Sequence, residues 1–232
     1  PCAELEIRAG VWRFSASRMR QTQQDGVRHA TGQRNMVAVS LHPQTGELYV
    51  AQHGRDRLFQ NWPALFNEAT SAELPSEELH RIRAGDDFGW PYCFHDRFRG
   101  FKVLAPEYGG DGATPGRCAD VTPALIGYPG HWGPNDILFY DGAQFPEQYR
   151  GGAFIAFHGS WNRAPLPQGG FNVVFQPFDE EGRPTSNWSI FADGFRAVGA
   201  RPTGLAIGPD GALFISADTG RRIWRVQHNP QP

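Results

Sequence analysis

The sequence predicts an all-β fold made of repeats of one small sheet, a β-propeller, and three observations lead there. The first is the run from Arg201 to Val226. Leu205 and Ile207 alternate with small residues, Pro209-Asp210-Gly211 supplies a tight turn, Leu213 and Ile215 resume the alternation, and Asp218-Thr219-Gly220 turns into Ile223-Trp224-Arg225-Val226. That order reads as strand, hairpin, strand, turn, strand. The second is recurrence: residues 37–51 repeat the pattern around Pro43 and Thr45-Gly46, and residues 134–157 repeat it more loosely, with an enlarged loop over 141–151. The third is composition, because 28 Gly, 19 Pro and seven Trp in 232 residues suit a turn-rich β protein rather than a coiled coil or a disordered chain. Repeated sheets bury their faces against their neighbours, and long insertions between them belong on one rim, where sites are built.

Taken in order, Val11-Trp12-Arg13-Phe14 echoes the last strand of the repeat, so residues 1–14 are expected to carry the final strand of a preceding blade. No Met precedes Pro1-Cys2-Ala3, and upstream sequence is expected. Residues 15–33 are polar and read as a loop between blades. The first blade, with a long loop, is placed at 34–123: two strands around the 43–46 turn, a polar insertion over 58–76 with a short helix near Pro63 to Ala69, and a further strand from Glu78 to Ile82. Within it, residues 93–123 form one long loop with few strand signals, a length that favours a functional role. The second blade spans 124–198, with an outer strand over 172–178 and an edge strand over 188–191. Strands over 199–228 belong to the last blade, and residues 1–232 form a single, partial propeller domain.

Charge excludes some partners. A net charge of -2 gives no whole-chain attraction to nucleic acid or an acidic membrane, and no apolar run approaches the ~20 residues that span a bilayer. Nearly every basic residue is Arg, with Lys102 the only Lys. Of the three cysteines, Cys93 and Cys118 flank the long loop. They read as a disulfide of an extracytoplasmic protein, as two reduced thiols, or as a metal pair with His95, although Cys-x-His with one distant Cys is poor zinc spacing.

Each repeat is entered through a polar or basic group: Arg34-Asn35, His131 and Arg201. Two repeats leave their first hairpin through His-Gly, at His53-Gly54 and His158-Gly159. Equivalent positions of successive blades meet around a propeller axis, so Arg34, His131, His158, Arg163 and Arg201 are expected to converge on one cationic pocket without an acidic member. Such a set of donors favours a polyanionic ligand. Taken singly, each residue is equally at home satisfying turn carbonyls and packing between blades.

Arg34-Asn35, Gln52-His53-Gly54, Gly89-Trp90-Pro91-Tyr92-Cys93, His158-Gly159-Ser160-Trp161-Asn162-Arg163 and Arg201-Pro202-Thr203-Gly204-Leu205 together span nearly the whole chain. On these elements it resembles the soluble pyrroloquinoline quinone (PQQ)-dependent sugar dehydrogenases, most closely the L-sorbosone and aldose sugar dehydrogenase branch. The resemblance implies a six-bladed propeller carrying PQQ over one end of its axis. Its implied activity is that of a quinoprotein oxidoreductase: hydride passes from an aldose or related aldehyde to the quinone, Ca²⁺ acts as Lewis acid, and a His acts as base. Arg34, Asn35, His131, His158, Trp161, Arg163 and Arg201 are the implied cofactor contacts, with His158 and Arg163 as alternatives for one role. The backbone carbonyls of Gly54 and Arg55 are the implied Ca²⁺ ligands. None of the chain's histidines matches the family's catalytic base, which is expected upstream, and about three blades plus one orphan strand make half a ring. Implied partners are a sugar, an external electron acceptor, and the missing N-terminal half of the propeller or a second copy. The implied location is periplasmic or secreted. A Ca²⁺-dependent lactonase on a propeller and a non-catalytic binding scaffold are the competing readings.

Overall fold

Among the described residues, alternating apolar positions punctuated by Gly and Pro fold into five antiparallel sheets with two short α-helices. The computed structural model describes residues 2–185 and 187–229. The first large sheet orders β3 (Asn35–Leu41), β4 (Leu48–His53), β5 (Glu77–Ile82) and β8 (Ile126–Tyr128) side by side. The second is a meander of β9 (Pro134–Phe139), β10 (Ala153–Phe157), β11 (Asn172–Gln176) and β12 (Ser189–Ala192). The third contains β13 (Pro202–Ile207), β14 (Leu213–Ala217) and β15 (Arg222–Val226). The tight turn from β13 to β14 needs Gly211, whose φ of 80° lies in the left-handed region that side chains disfavour.

Three sequence expectations give way. The stretch 15–33 is not all loop: β2 (Val27–Thr31) pairs with β1 (Gly10–Arg13) in a two-stranded sheet. Residues 93–123 contain a hairpin of β6 (Cys93–Asp96) and β7 (Phe101–Leu104), whose strands are mostly buried and so lack alternation. The short helix expected near 63–69 is shifted: α1 (Leu58–Asn61) lies before that range and α2 (Glu68–Glu73) overlaps only its last two residues. In addition, β8 lies beyond residue 124 yet pairs with β5, so the boundary drawn there cuts through the first sheet.

Sheets pack face to face. Tyr49, Leu79 and Tyr128 from the first meet Ile137, Phe139, Ile155 and Phe157 from the second, all nearly or fully buried. Phe154, Val173 and Phe175 on the opposite face of the second meet Leu213 and Ile215 of the third. Burying one such side chain stabilises by about 1.5–3 kcal/mol. Rings of Tyr49 and Phe139, and of Tyr128 and Phe157, meet edge to face at 5.1 Å in each pair. Two tyrosine hydroxyls tie this packing to turns: Tyr49 donates to the Gly182 carbonyl at 2.6 Å and Tyr140 to that of Gly211 at 2.9 Å.

The insertion between β4 and β8 has its own small core of Leu58, Phe66, Leu74, Phe94 and Val103. Cys93 and Cys118 are joined by a disulfide across it, which settles the alternatives left by the sequence. Closing a loop of this length stabilises by about 3 kcal/mol in the chain-entropy model. His95 takes no part in a metal pair; its Nδ1 lies 3.0 Å from the Ser76 hydroxyl.

Candidate functional site

Antiparallel register decides which residues share an end of the molecule. Asn35 lies opposite His53, Pro134 opposite Phe157, and Pro202 opposite Ala217. Residues just before the first strand of each large sheet and just after its second strand therefore gather at one rim. There they surround an open cavity of about 480 Å³, lined by Arg34, His53, Gly54, Asp56, Glu77, His131, Gly133, His158, Gly159, Trp161, Asn162 and Arg201.

Six of the nine implied cofactor and Ca²⁺ contacts line it: Arg34, Gly54, His131, His158, Trp161 and Arg201. Asn35, Arg55 and Arg163 are not in the lining. Asn35 opens β3 as an exposed residue opposite His53. The Arg55 side chain pairs with Glu107 and lies 4.9 Å from the Trp62 ring centroid. Arg163 is buried and its guanidinium is consumed by the carbonyls of Ala72 (2.6 Å) and Gly130 (2.7 Å) and by Glu73. It pins the insertion to the rim, so of the two alternatives for one cofactor contact only His158 faces the cavity.

Two arginines stand on glycine carbonyls. Arg34 donates to the carbonyl oxygens of Gly54 (2.7 Å) and His53 (3.4 Å), and Arg201 to those of Gly159 (2.7 Å) and His158 (3.5 Å). Arg34 bonds within its own sheet, whereas Arg201 reaches the neighbouring one. Glycine is required at both supports. A Cβ on Gly54 would meet the Ser76 carbonyl oxygen at 2.8 Å, and one on Gly159, whose φ is +99°, would meet the Phe171 ring at 2.5 Å.

His131 sits between acceptors. Its Nε2 donates to the Ser71 carbonyl at 2.8 Å and its Nδ1 faces the Asp56 carboxylate at 3.1 Å. Burial lowers its pKa, but the bonds to Asp56 and Ser71 and the field of Glu77 outweigh that and leave it raised. The bond from His131 is the main reason the Asp56 carboxyl is held below its ordinary value. Asn162 also donates to Asp56, at 2.8 Å, and Arg34 stands 3.9 Å from it.

The expectation of a pocket without acidic members is overturned, since Asp56 and Glu77 both line it. Glu77 is 2% exposed and accepts from the amides of Gly54 (2.8 Å) and Gly133 (3.1 Å), stitching the first sheet to the entry of the second. Burial pushes its pKa up to about 7 against those two bonds. At the rim, His158 Nε2 lies 3.0 Å from Asp218. Asp218 follows β14 as His53 ends β4 and His158 follows β10, so the third member of that series was available in the sequence.

Beneath Arg34 is a polar network that sequence patterning missed. Glu78 is approached by Lys102 Nζ and His80 Nε2 at 2.9 Å each and by Gln52 at 3.1 Å, and Gln52 in turn accepts the Arg34 amide at 3.0 Å. Burial opposes ionisation of Glu78, but Lys102 and His80 hold its pKa well below the usual carboxylate range. Burial and the Lys102 charge push His80 down to about 4. Among the described residues, no group of three or more His, Cys, Asp or Glu is placed to hold a metal ion, and no helix is long and apolar enough to cross a membrane.

Known proteins share this arrangement of sheets. The calcium structure of a Trichoderma reesei protein of Carbohydrate-Active Enzymes Family AA12 superposes with a TM-score of 0.71 at 22% identity, covering 92% of this chain and 57% of that one. The holo form of the pyranose dehydrogenase PQQ domain from Coprinopsis cinerea gives 0.69 at 20% identity, over 97% and 62%. The apo soluble aldose sugar dehydrogenase of Escherichia coli gives 0.56 at 17% identity, over 87% and 47%. An uncharacterized protein of Borreliella burgdorferi is 30% identical over 207 residues, covering 86% of this chain and 48% of its own length. The chain thus spans about half the length of the curated relative it matches. The TrAA12-like family model matches residues 4–229, and the chain belongs to that family.

Proposed function

We propose that this chain is the PQQ-gripping part of a six-bladed quinoprotein that oxidises an aldose or related aldehyde sugar, sorbosone being one such substrate. The supporting observation is the convergence of Arg34, His131, His158 and Arg201 on one cavity at the rim of three sheets. Each guanidinium spends donors on carbonyls and has others left, since Arg carries five N–H groups. The donor chemistry fits a planar, carboxylate-bearing quinone. In this reading Arg34 and Arg201 bind its carboxylates, the His131 ring is fixed in place by Asp56 and Ser71, and Trp161 forms an apolar wall. When bound, PQQ would supply the hydride acceptor.

Calcium would be held by the carbonyl oxygens of Gly54 and Arg55, hard ligands suited to it, and would polarise the quinone carbonyl. Arg34 occupies one side of the Gly54 oxygen, and the buried Glu77 carboxyl fixes the Gly54 amide behind it. The catalytic base is assigned to no histidine here. His131 is occupied at both nitrogens, His53 Nε2 is 3.0 Å from the Pro134 carbonyl, and His158 is the cofactor contact in this reading. The missing blades supply the base in this proposal, and an external acceptor reoxidises the quinone in the periplasm or outside the cell.

The lactonase alternative needs carboxylates and amides converging on one metal. Asp56, Glu77 and Asn162 do approach the cavity, but each is committed to backbone amides or to neighbouring side chains. Titrating the purified protein with PQQ and excess Ca²⁺, following quinone absorbance, separates these readings. Saturable uptake of one equivalent is expected, and absence of uptake would favour the binding-scaffold reading.

A further inference from the structure

We infer that a second cavity beside the first is a subsite for the carboxylate of an acidic monosaccharide such as a uronic acid. It holds about 340 Å³ between the loop that leaves β10 and the loop that enters β13, and Ser160, Trp161, Gln168, Phe171, Arg196 and Arg201 form its wall. That volume is within the range of small-ligand sites. The inference rests on the sugar reading of the larger cavity, with which it shares Trp161 and Arg201.

Charge carries the argument. Arg201 and Arg196 both lie over the ring of Phe171, at 4.7 Å and 5.6 Å from its centroid. Phe171 is 8% exposed and its ring packs into the space left by the absent side chain of Gly159, so it is a fixed platform. Two guanidiniums are thereby drawn onto one ring, where like charges repel. No Asp or Glu is in the cavity wall, and among the described residues neither arginine is ion-paired. Most other clustered arginines here do have a carboxylate: Arg34 has Asp56, Arg81 and Arg83 share Glu47, and Arg97 and Arg163 share Glu73.

The neutral groups point the same way. Gln168 Oε1 accepts from the Ser160 hydroxyl at 2.7 Å, and that hydroxyl also accepts from the Gly169 amide at 2.9 Å. What Gln168 has left for a ligand is its amide N–H₂, so the wall offers donors and the complementary ligand offers acceptors. Trp161, 73% exposed, adds a flat apolar face between the two cavities. A sugar ring against the indole, with its carboxylate between Arg196 and Arg201, satisfies both features.

The test compares D-glucuronate with D-glucose by calorimetry on the purified protein, without PQQ and at fixed salt. Glucuronate should bind about tenfold or more tightly than glucose, in line with charge-assisted bonds. Arg196→Met should remove most of that preference, Arg196→Lys should restore part of it, and PQQ uptake by Arg196→Met should equal that of the parent. Equal affinity for the two sugars, acetate binding as tightly as glucuronate, or loss of PQQ uptake in Arg196→Met would each overturn the inference. A protein that prefers glucuronate but takes up no PQQ would keep the subsite and refute the cofactor reading instead.

Discussion

The two arginine corners look alike in their bonds and differ in their charge. Arg34 and Arg201 each donate at 2.7 Å to a glycine carbonyl that follows a histidine. Around Arg34 the charge is balanced: Asp56 stands 3.9 Å away, and the buried Glu78–Lys102 pair anchors its amide through Gln52. Around Arg201 it is not, because Arg196 shares the Phe171 ring. The first corner is thus set by the protein's own interior, and the second has unmet demand for an anion. Disturbing the buried pair beneath the first should cost stability, and removing a guanidinium at either corner should cost ligand.

The largest effect is expected beneath Arg34. Lys102→Met leaves Glu78 buried without its main cation and should destabilise by about 3–5 kcal/mol in denaturant unfolding. Glu78→Gln combined with Lys102→Met should recover part of that loss, since the isolated charge is gone. Recovery would show that the network, rather than Lys102 packing alone, holds this corner.

Acid titration sharpens the same contrast. His80 has a folded pKa of about 4 against an ordinary value of 6.5, so the unfolded chain binds the extra proton first. Stability should therefore be fully present above pH 6.5 and fall as pH drops toward 4, by up to roughly 3 kcal/mol from this residue. His131 has the opposite sign: its raised pKa contributes stability below 6.5 that is lost as pH rises through the folded value. Unfolding free energies of His80→Gln across this range should show a flatter acid limb than the parent.

At the second corner, Gly159→Ala should cost about 1–3 kcal/mol from its left-handed backbone and the clash with Phe171. Arg201→Ala should leave the unfolding midpoint nearly unchanged and weaken PQQ by roughly ten- to a hundredfold, the worth of a charge-assisted bond. A variant that unfolds while retaining PQQ would make Arg201 a packing residue.

Much of this was legible because strands with one solvated face alternate. The segments 35–53, 202–217 and 222–226 declare themselves through Val39, Leu205, Ile207, Leu213 and Ile215 set between turns at Gly46, Gly211 and Gly220. The hairpin over 93–104 did not, because Cys93, Phe94, His95 and Asp96 are all buried and the polar ones are paired inside. Asp56 and Glu77 were missed for a related reason: their roles come from a rim that only register and sheet packing assemble. Arg163 was misplaced by proximity in sequence, since its direction is set by carbonyls 91 and 33 residues earlier.

The most direct measurement is PQQ uptake by the parent protein, Arg34→Ala and Arg201→Ala, each with excess Ca²⁺ and followed by quinone absorbance. One saturable equivalent in the parent, weakened about tenfold or more in both variants while their unfolding curves show folded protein, is the predicted result. No uptake by the parent, or uptake that neither substitution alters, would contradict the assignment of the cavity to the quinone.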